Sequence, residues 1–203
     1  MRSVGVDDPL AHLDTYIAIN QPLWAAVERH EITPDQVRLL RFQQLVEALH
    51  LDADPAAMAD TFVTGLAECG DLYPGVRAVL DTLADIATLA LVTNGLSEVQ
   101  RTRVERLGLQ PRFAAIVISA EVGSSKPAGA FFDIAFERLG APSRTNALMV
   151  GDSLSADIGG GASYGMATCW YNPHRRPAPN PATPRIDHMI ADLAELAALI
   201  VDD

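Results

Sequence analysis

From residue 88 onward, short apolar runs alternate with stretches of helical periodicity, and that alternation leaves few folds open. The runs are 88–92, 115–118, 147–150 and 167–171. Apart from Thr88 and Thr168, these are blocks of apolar or aromatic residues rather than an alternation with polar ones, as expected of strands buried on both faces. Helical patterns fill 76–83, 97–107 (stopping at Gly108), 131–139 (stopping at Gly140) and 191–201. His188-Met189-Ile190 adds a short edge strand. Strands separated by helices of this length predict an α/β fold: a parallel sheet with helices on both faces.

The front of the chain has a different grain. From Pro9 to about Gly70 nothing reads as a strand. Leu10, Leu13, Ile17, Leu23, Trp24 and Val27 recur at helical spacing. Thr33-Pro34 is a cap followed by proline at the first helical position, and it opens a stripe of Val37, Leu40, Leu45, Val46 and Leu49. Asp54-Pro55 opens a third helix carrying Met58, Phe62 and Leu66. The expected organisation is a helical module over 1–71 and an α/β module over 72–203, with the boundary near Leu72 to Gly75.

Charge narrows the partners. Fifteen Lys and Arg face 26 Asp and Glu, a formal net charge of −11 in 203 residues. That disfavours a nucleic acid polymer or an anionic membrane, so a small-molecule partner is expected. A phosphate could be held only with a local cation or a metal. Cys69 and Cys169 are the only cysteines and make no disulfide framework, so a reducing, cytoplasmic setting is expected. No secretory leader pattern opens the chain, and no apolar run is long enough to span a bilayer.

Three strand ends carry the polar residues. In Leu148-Met149-Val150-Gly151-Asp152-Ser153-Leu154-Ser155-Ala156-Asp157, an apolar strand runs into Gly-Asp and a second acid follows one short turn later. Two carboxylates where a parallel strand ends suit Mg²⁺, a hard ion held by one or two carboxylates, waters and substrate phosphate. The plainer reading is a capped turn with solvated acids. Thr93-Asn94-Gly95 follows the first strand, where a hydroxyl and backbone N–H groups could hold an anion, or could simply make an Asn-Gly turn. Lys126 precedes Pro127, which is expected to start the next helix.

Taken together, Leu91-Val92-Thr93-Asn94-Gly95, Ser125-Lys126-Pro127 and Val150-Gly151-Asp152-Ser153 through Asp157 resemble motifs II, III and IV of the haloacid dehalogenase (HAD) superfamily, in order and spacing. The helical front, with Asn20-Gln21-Pro22-Leu23-Trp24, looks like the helical (C1) cap of its phosphatases. Glu121-Val122-Gly123 and Ala167-Thr168-Cys169-Trp170 look closest to the branch that dephosphorylates pyrimidine nucleoside 5'-monophosphates. The resemblance implies roles. Thr93 would hydrogen-bond the phosphoryl group with help from the Asn94 and Gly95 backbone. Lys126 would neutralise charge beside the phosphate. Asp152 would ligate Mg²⁺, and Asp157 would support the metal or its waters. The implied activity is Mg²⁺-dependent hydrolysis of a small phosphomonoester by electrostatic preorganisation.

One element of the family pattern is missing. Its first motif is Asp-x-Asp at the end of a central strand ahead of the cap, where the first Asp attacks phosphorus and the second acts as acid and base. Val4-Gly5-Val6-Asp7-Asp8-Pro9 is the candidate here, but its acids are adjacent and would point to opposite faces of a strand. They read instead as the acidic lead-in to the first helix. The resemblance places the missing strand between those ending at Thr93 and Asp152. Two expectations follow: a strand carrying the nucleophile lies upstream of Met1, and the chain as given does not turn over phosphate esters.

Two other functions stay open at this stage. A catalytically dead remnant or binding module fits the absent nucleophile. A 2-haloacid dehalogenase uses the same sheet without metal, though the Asp152/Asp157 pair favours the metal-dependent version. A receiver domain is excluded because its acids precede Thr and Lys in the chain, whereas Asp152 follows them. The five His show no metal-ligand spacing, and His174-Arg175-Arg176 reads as a solvated basic loop. Trp24, Trp170 and Cys169 read as core, and Asn20, Trp24 and Arg41 are candidates to shape a substrate pocket.

Overall fold

The structure is a computed structural model that describes residues 9–179 and 184–201. The acidic lead-in at 4–8 lies outside the described residues. A 3₁₀ turn at Pro9–His12 leads into α1 (Leu13–Glu28), followed by α2 (Pro34–Leu49) and α3 (Pro55–Glu68). Thr33 starts α2 with a full capping box: its hydroxyl accepts from the Gln36 N–H while the Gln36 side chain accepts from the Thr33 N–H. Asp54 caps α3 through the Ala56 N–H. The three helices bury Phe42, Leu45, Met58 and Ala59 in one cluster and Leu23, Val27 and Val37 in another.

The α/β part comprises α4 (Val76–Ile86), β1 (Ala90–Thr93), α5 (Ser97–Arg106), β2 (Ala115–Ile118), α6 (Ser119–Val122), α7 (Gly129–Arg138), β3 (Leu148–Gly151), a π-helical turn at Leu154–Gly159 running into α8 (Gly160–Tyr164), β4 (Ala167–Tyr171), β5 (His188–Ile190) and α9 (Leu196–Val201). All the strand pairs are parallel. The sheet is in two pieces, β1–β2 and β3–β4–β5, and no hydrogen bonds join β1 to β3.

Helices cover both faces, as the apolar runs require. Met149 of β3 packs with Phe131, Phe132, Phe136 and Tyr164 on one side, together with Val92 of β1. Its neighbours Leu148 and Val150 pack on the other side with Leu83, Leu196, Cys169 and Ile190. This is the two-residue alternation of a strand with both faces buried. Each fully buried side chain of this size contributes roughly 1.5–3 kcal/mol, so the two layers dominate the folding energy. Gly161 lets α8 approach the sheet: a Cβ there would lie 2.7 Å from the Met149 Cβ.

Three sequence expectations shift. The first strand pairs over Ala90–Thr93 rather than 88–92, with Thr93 opposite Ile118. Pro127 does not start α7. The Lys126–Pro127 bond is cis, and the Ala128 N–H closes a tight turn onto the Ser125 carbonyl at 2.9 Å, so the helix begins only at Gly129. The closing helix does not run from 191. Asp192 makes a capping box with Glu195 over a 3₁₀ turn, and α9 follows from Leu196. Among the described residues, no helix is long and apolar enough to cross a membrane.

Candidate functional site

The expected residues gather at the carboxyl ends of β1 and β3, and Lys126 is the bridge. Its Nζ donates to the Val92 carbonyl of β1 at 2.9 Å and to Asp157 Oδ1, just beyond β3, at 2.7 Å. Both side chains are buried, 8% and 7% exposed. An ammonium removed from water to this degree needs charge-matched partners, and it has one carboxylate and one carbonyl. One group thus brings the carboxyl end of β1 and the turn after β3 together.

The loop carrying Lys126 is fixed by Asn94. The Asn94 amide donates to the Lys126 carbonyl and accepts from the Lys126 N–H, both at 2.9 Å. Asn94 thus acts through its side chain as a two-point clamp on the lysine's peptide unit, a role that the Asn-Gly spacing did not reveal. Gly95 is held by its N–H donating to Ser119 Oγ at 3.0 Å. The Thr93 hydroxyl has only a long contact, 3.5 Å, with the Asn94 carbonyl, which leaves it able to donate elsewhere.

Asp157 sits in the π-helical turn, a geometry concentrated at functional sites. Its second oxygen accepts from the Ser153 N–H at 3.0 Å, and Ser153 Oγ caps the turn by accepting from the Ala156 N–H. The carboxylate lies directly against Gly151, where a Cβ would fall 2.2 Å from Asp157 Oδ2. Only glycine therefore fits at position 151. Asp152 differs: its residue is exposed and its carboxylate has no hydrogen bond or ion pair among the described residues. Its backbone is anchored instead, the carbonyl accepting from the Trp170 indole N–H at 3.2 Å. Trp170 is the buried core residue that the sequence suggested, with this second duty added.

The donor set fits a hard divalent ion sparingly. Among the described residues there is no group of three or more His, Cys, Asp and Glu that could hold a metal. One unpaired carboxylate at Asp152 with a hydrogen-bonded one at Asp157 is what Mg²⁺ takes when waters and phosphate complete its shell. Among the described residues, no carboxylate is placed to attack a phosphate beside Lys126. The one Asp-x-Asp spacing in the chain, Asp52-Ala53-Asp54, lies in the α2–α3 connection, where Asp54 is a helix cap.

The pocket candidates sit in the helical part. Arg41 is buried, 3% exposed, and among the described residues it meets neutral acceptors: the Val37 carbonyl, the Tyr16 hydroxyl and Asn20 Oδ1. Its guanidinium also lies 5.0 Å from the Phe62 ring centroid. Trp24 is half-buried beside Leu23 and Val27. Glu121 joins α6 to α5 through a bidentate pair with Arg101 and a bond from the Ser97 hydroxyl, and these hold its carboxyl down at about 2. His174, Arg175 and Arg176 are exposed, with Arg176 lying over Trp170.

Comparison with known proteins identifies the family and the fold. Residues 11–165 match the haloacid dehalogenase-like hydrolase family. The chain is 38% identical to the pyrimidine 5'-nucleotidase YjjG of Escherichia coli over 91% of its own length and 80% of that protein. It is 33% identical to the pyrimidine 5'-nucleotidase PynA of Streptococcus pneumoniae over 86% of its length and 74% of that protein. Among solved structures, the HAD-hydrolase YfnB of Bacillus subtilis, crystallised with magnesium, superposes with a TM-score of 0.87 at 33% identity, covering 98% of this chain and 86% of that one.

Proposed function

The chain belongs to the haloacid dehalogenase-like hydrolases, and from that premise we propose that it binds a pyrimidine nucleoside 5'-monophosphate as a Mg²⁺-dependent phosphatase does. The observation that carries the reading is the buried Lys126 ammonium between the Val92 carbonyl and the Asp157 carboxylate, one step from the unpaired Asp152. A phosphate dianion entering this cleft meets a preorganised cation, the Thr93 hydroxyl and the Asn94–Gly95 backbone. Lys126 offsets the charge that builds on the non-bridging oxygens, and the Asn94 clamp keeps its position fixed as that charge develops.

Asp152 and Asp157 would hold Mg²⁺, which when bound screens the phosphate and lets an anion approach it. In this reading α1–α3 form a cap over the cleft, and Arg41, Asn20 and Tyr16 are its polar group for the nucleoside. Two unpaired cysteines agree with a cytoplasmic setting. The attacking carboxylate belongs between β1 and β3, where the described residues place none, so binding and turnover are tested apart.

Calorimetry with UMP, CMP and AMP is the binding test. The pyrimidine nucleotides should bind with Mg²⁺, weaken at least tenfold with EDTA, and weaken similarly in Lys126→Met. Equal binding by Lys126→Met would remove the reading. Turnover of p-nitrophenyl phosphate is expected to be absent, and measurable hydrolysis would mean that another residue attacks.

A further inference from the structure

The basic turn after β4, His174-Arg175-Arg176, is held by a buried side chain. Asn172 follows directly on β4 and is 1% exposed. Its amide donates to the Arg176 carbonyl at 2.8 Å and accepts from the Arg176 N–H at 3.0 Å. The Arg175 N–H donates to the Asn172 carbonyl at 3.0 Å, and the Asn172 N–H to the Ile190 carbonyl of β5 at 2.7 Å. Arg175 is left-handed, with a φ of +50°. The other non-glycine residues with a positive φ among those described, His30, His50 and Ala141, follow helix ends, where that conformation is ordinary. A left-handed arginine away from a helix end costs conformational energy, and the buried amide maintains it.

The turn adjoins the cleft. β4 runs parallel to β3 with Trp170 opposite Gly151, so the turn leaves the same edge of the sheet as Asp152, one strand spacing of about 4.8 Å away. The Arg176 guanidinium lies 5.5 Å from the centre of the Trp170 ring, and the same indole donates to the Asp152 carbonyl. Charge gives this neighbourhood a use. Lys126 is neutralised by Asp157 at 2.7 Å. Mg²⁺ and a phosphate dianion would cancel one another, so with both bound the cleft keeps the negative charge of Asp152. In a chain of net charge −11, two adjacent exposed guanidinium groups at this edge are a local attraction for further anionic charge. We propose that Arg175 and Arg176 form a second anion subsite beside the cleft, which takes a second phosphate of a nucleotide whose first phosphate rests at Lys126. A guanidinium stacked on an indole still carries its donors in its own plane, where a phosphate can take two of them at once. The preferred ligand is a pyrimidine nucleoside bisphosphate, bound more tightly than the monophosphate. The inference rests on the Lys126 cleft being a phosphate site and says which further group the ligand carries.

Calorimetry of the full chain with Mg²⁺ compares UMP with uridine 3',5'-bisphosphate. Wild type should bind the bisphosphate about tenfold tighter or more. Raising KCl from about 50 to about 300 mM should weaken bisphosphate binding more steeply than UMP binding, since an exposed charge pair is screened by salt. In Arg175→Gln/Arg176→Gln the preference should fall to about twofold or less. That variant should melt with wild type, because both side chains are exposed while the turn is held through Asn172 and the main chain. Three results would overturn the subsite: equal affinities in wild type, parallel salt dependences for the two ligands, or a preference that survives in the double variant. Each leaves the phosphate cleft standing if UMP binding still weakens in Lys126→Met. No binding of either ligand by wild type would instead remove the phosphate reading, and the subsite with it.

Discussion

The Lys126 ammonium and the Asp157 carboxylate form a buried ion pair, Nζ to Oδ1 2.7 Å, that links the lysine loop to the turn after β3. Removing one member leaves the other as an uncompensated buried charge, which typically costs about 3–5 kcal/mol. Lys126→Met and Asp157→Leu should therefore each lower the midpoint of urea unfolding sharply. The double variant should lose far less than their sum. A double-mutant cycle with no coupling would show that the pair is not formed in solution.

Gly151 and Asp157 share one space. A methyl group at position 151 would overlap the carboxylate at little more than 2 Å, so either the π-helical turn or the end of β3 must move. Gly151→Ala is expected to destabilise by about 1–3 kcal/mol, the usual range for overpacking. UMP binding should fall with it, because the displaced carboxylate is Lys126's partner. Gly140→Ala, whose Cβ would meet nothing within 4 Å but whose φ of +82° is strained, should cost stability without touching binding.

Glu121 predicts an acid-sensitive link. Its pairing with Arg101, reinforced by Ser97, lowers the carboxyl from its ordinary 4.5 to about 2. A carboxyl whose folded value is depressed stabilises the fold above its unfolded value, and that contribution disappears as pH falls from about 4.5 toward 2. With Arg101 half in solvent, the contribution is about 1–2 kcal/mol. Unfolding curves of wild type and Glu121→Gln should be separated at pH 7 and converge below pH 3. A constant separation across that range would rule the link out.

The two thiols should react differently. Burial pushes the Cys169 thiol up to about 11, with Glu195 adding a smaller upward push, whereas Cys69 is exposed at the end of α3. Since the thiolate is the reactive form, the native protein should take up one equivalent of a disulfide reagent at pH 8 and two after denaturation. Fast labelling of both in the native state would mean that the β4 layer opens readily.

Much of the site is readable in the sequence because its chemistry sits at strand ends. A buried parallel strand is a continuous apolar run, so Thr93 and Asp152 declare themselves as the first polar residues after one, with Asp157 the next acid one short turn on. What hides is what depends on partners distant in the chain. Nothing near Asn94 indicates that its amide holds a peptide 32 residues away, and nothing near Trp170 indicates that its indole holds the carbonyl of Asp152. The start of α7 departs from expectation for a local reason: proline fits a first helical turn and a tight turn alike, and the Ala128-to-Ser125 bond selects the second. The division of the sheet into β1–β2 and β3–β4–β5 is legible only through the family pattern, since which strands pair leaves no mark on the apolar runs themselves.

Ser125, the residue before the lysine, donates its hydroxyl to the carbonyl of Val27 in the last turn of α1, at 3.3 Å across 98 positions of chain. The helical front thus has a tether on the residue adjoining the cation that bridges the two strand ends. The loop that carries the lysine is thereby moored to the helices as well as to the strands. A substitution that shortened the Ser125 side chain to alanine would cut that mooring and leave the strand-end bonds in place.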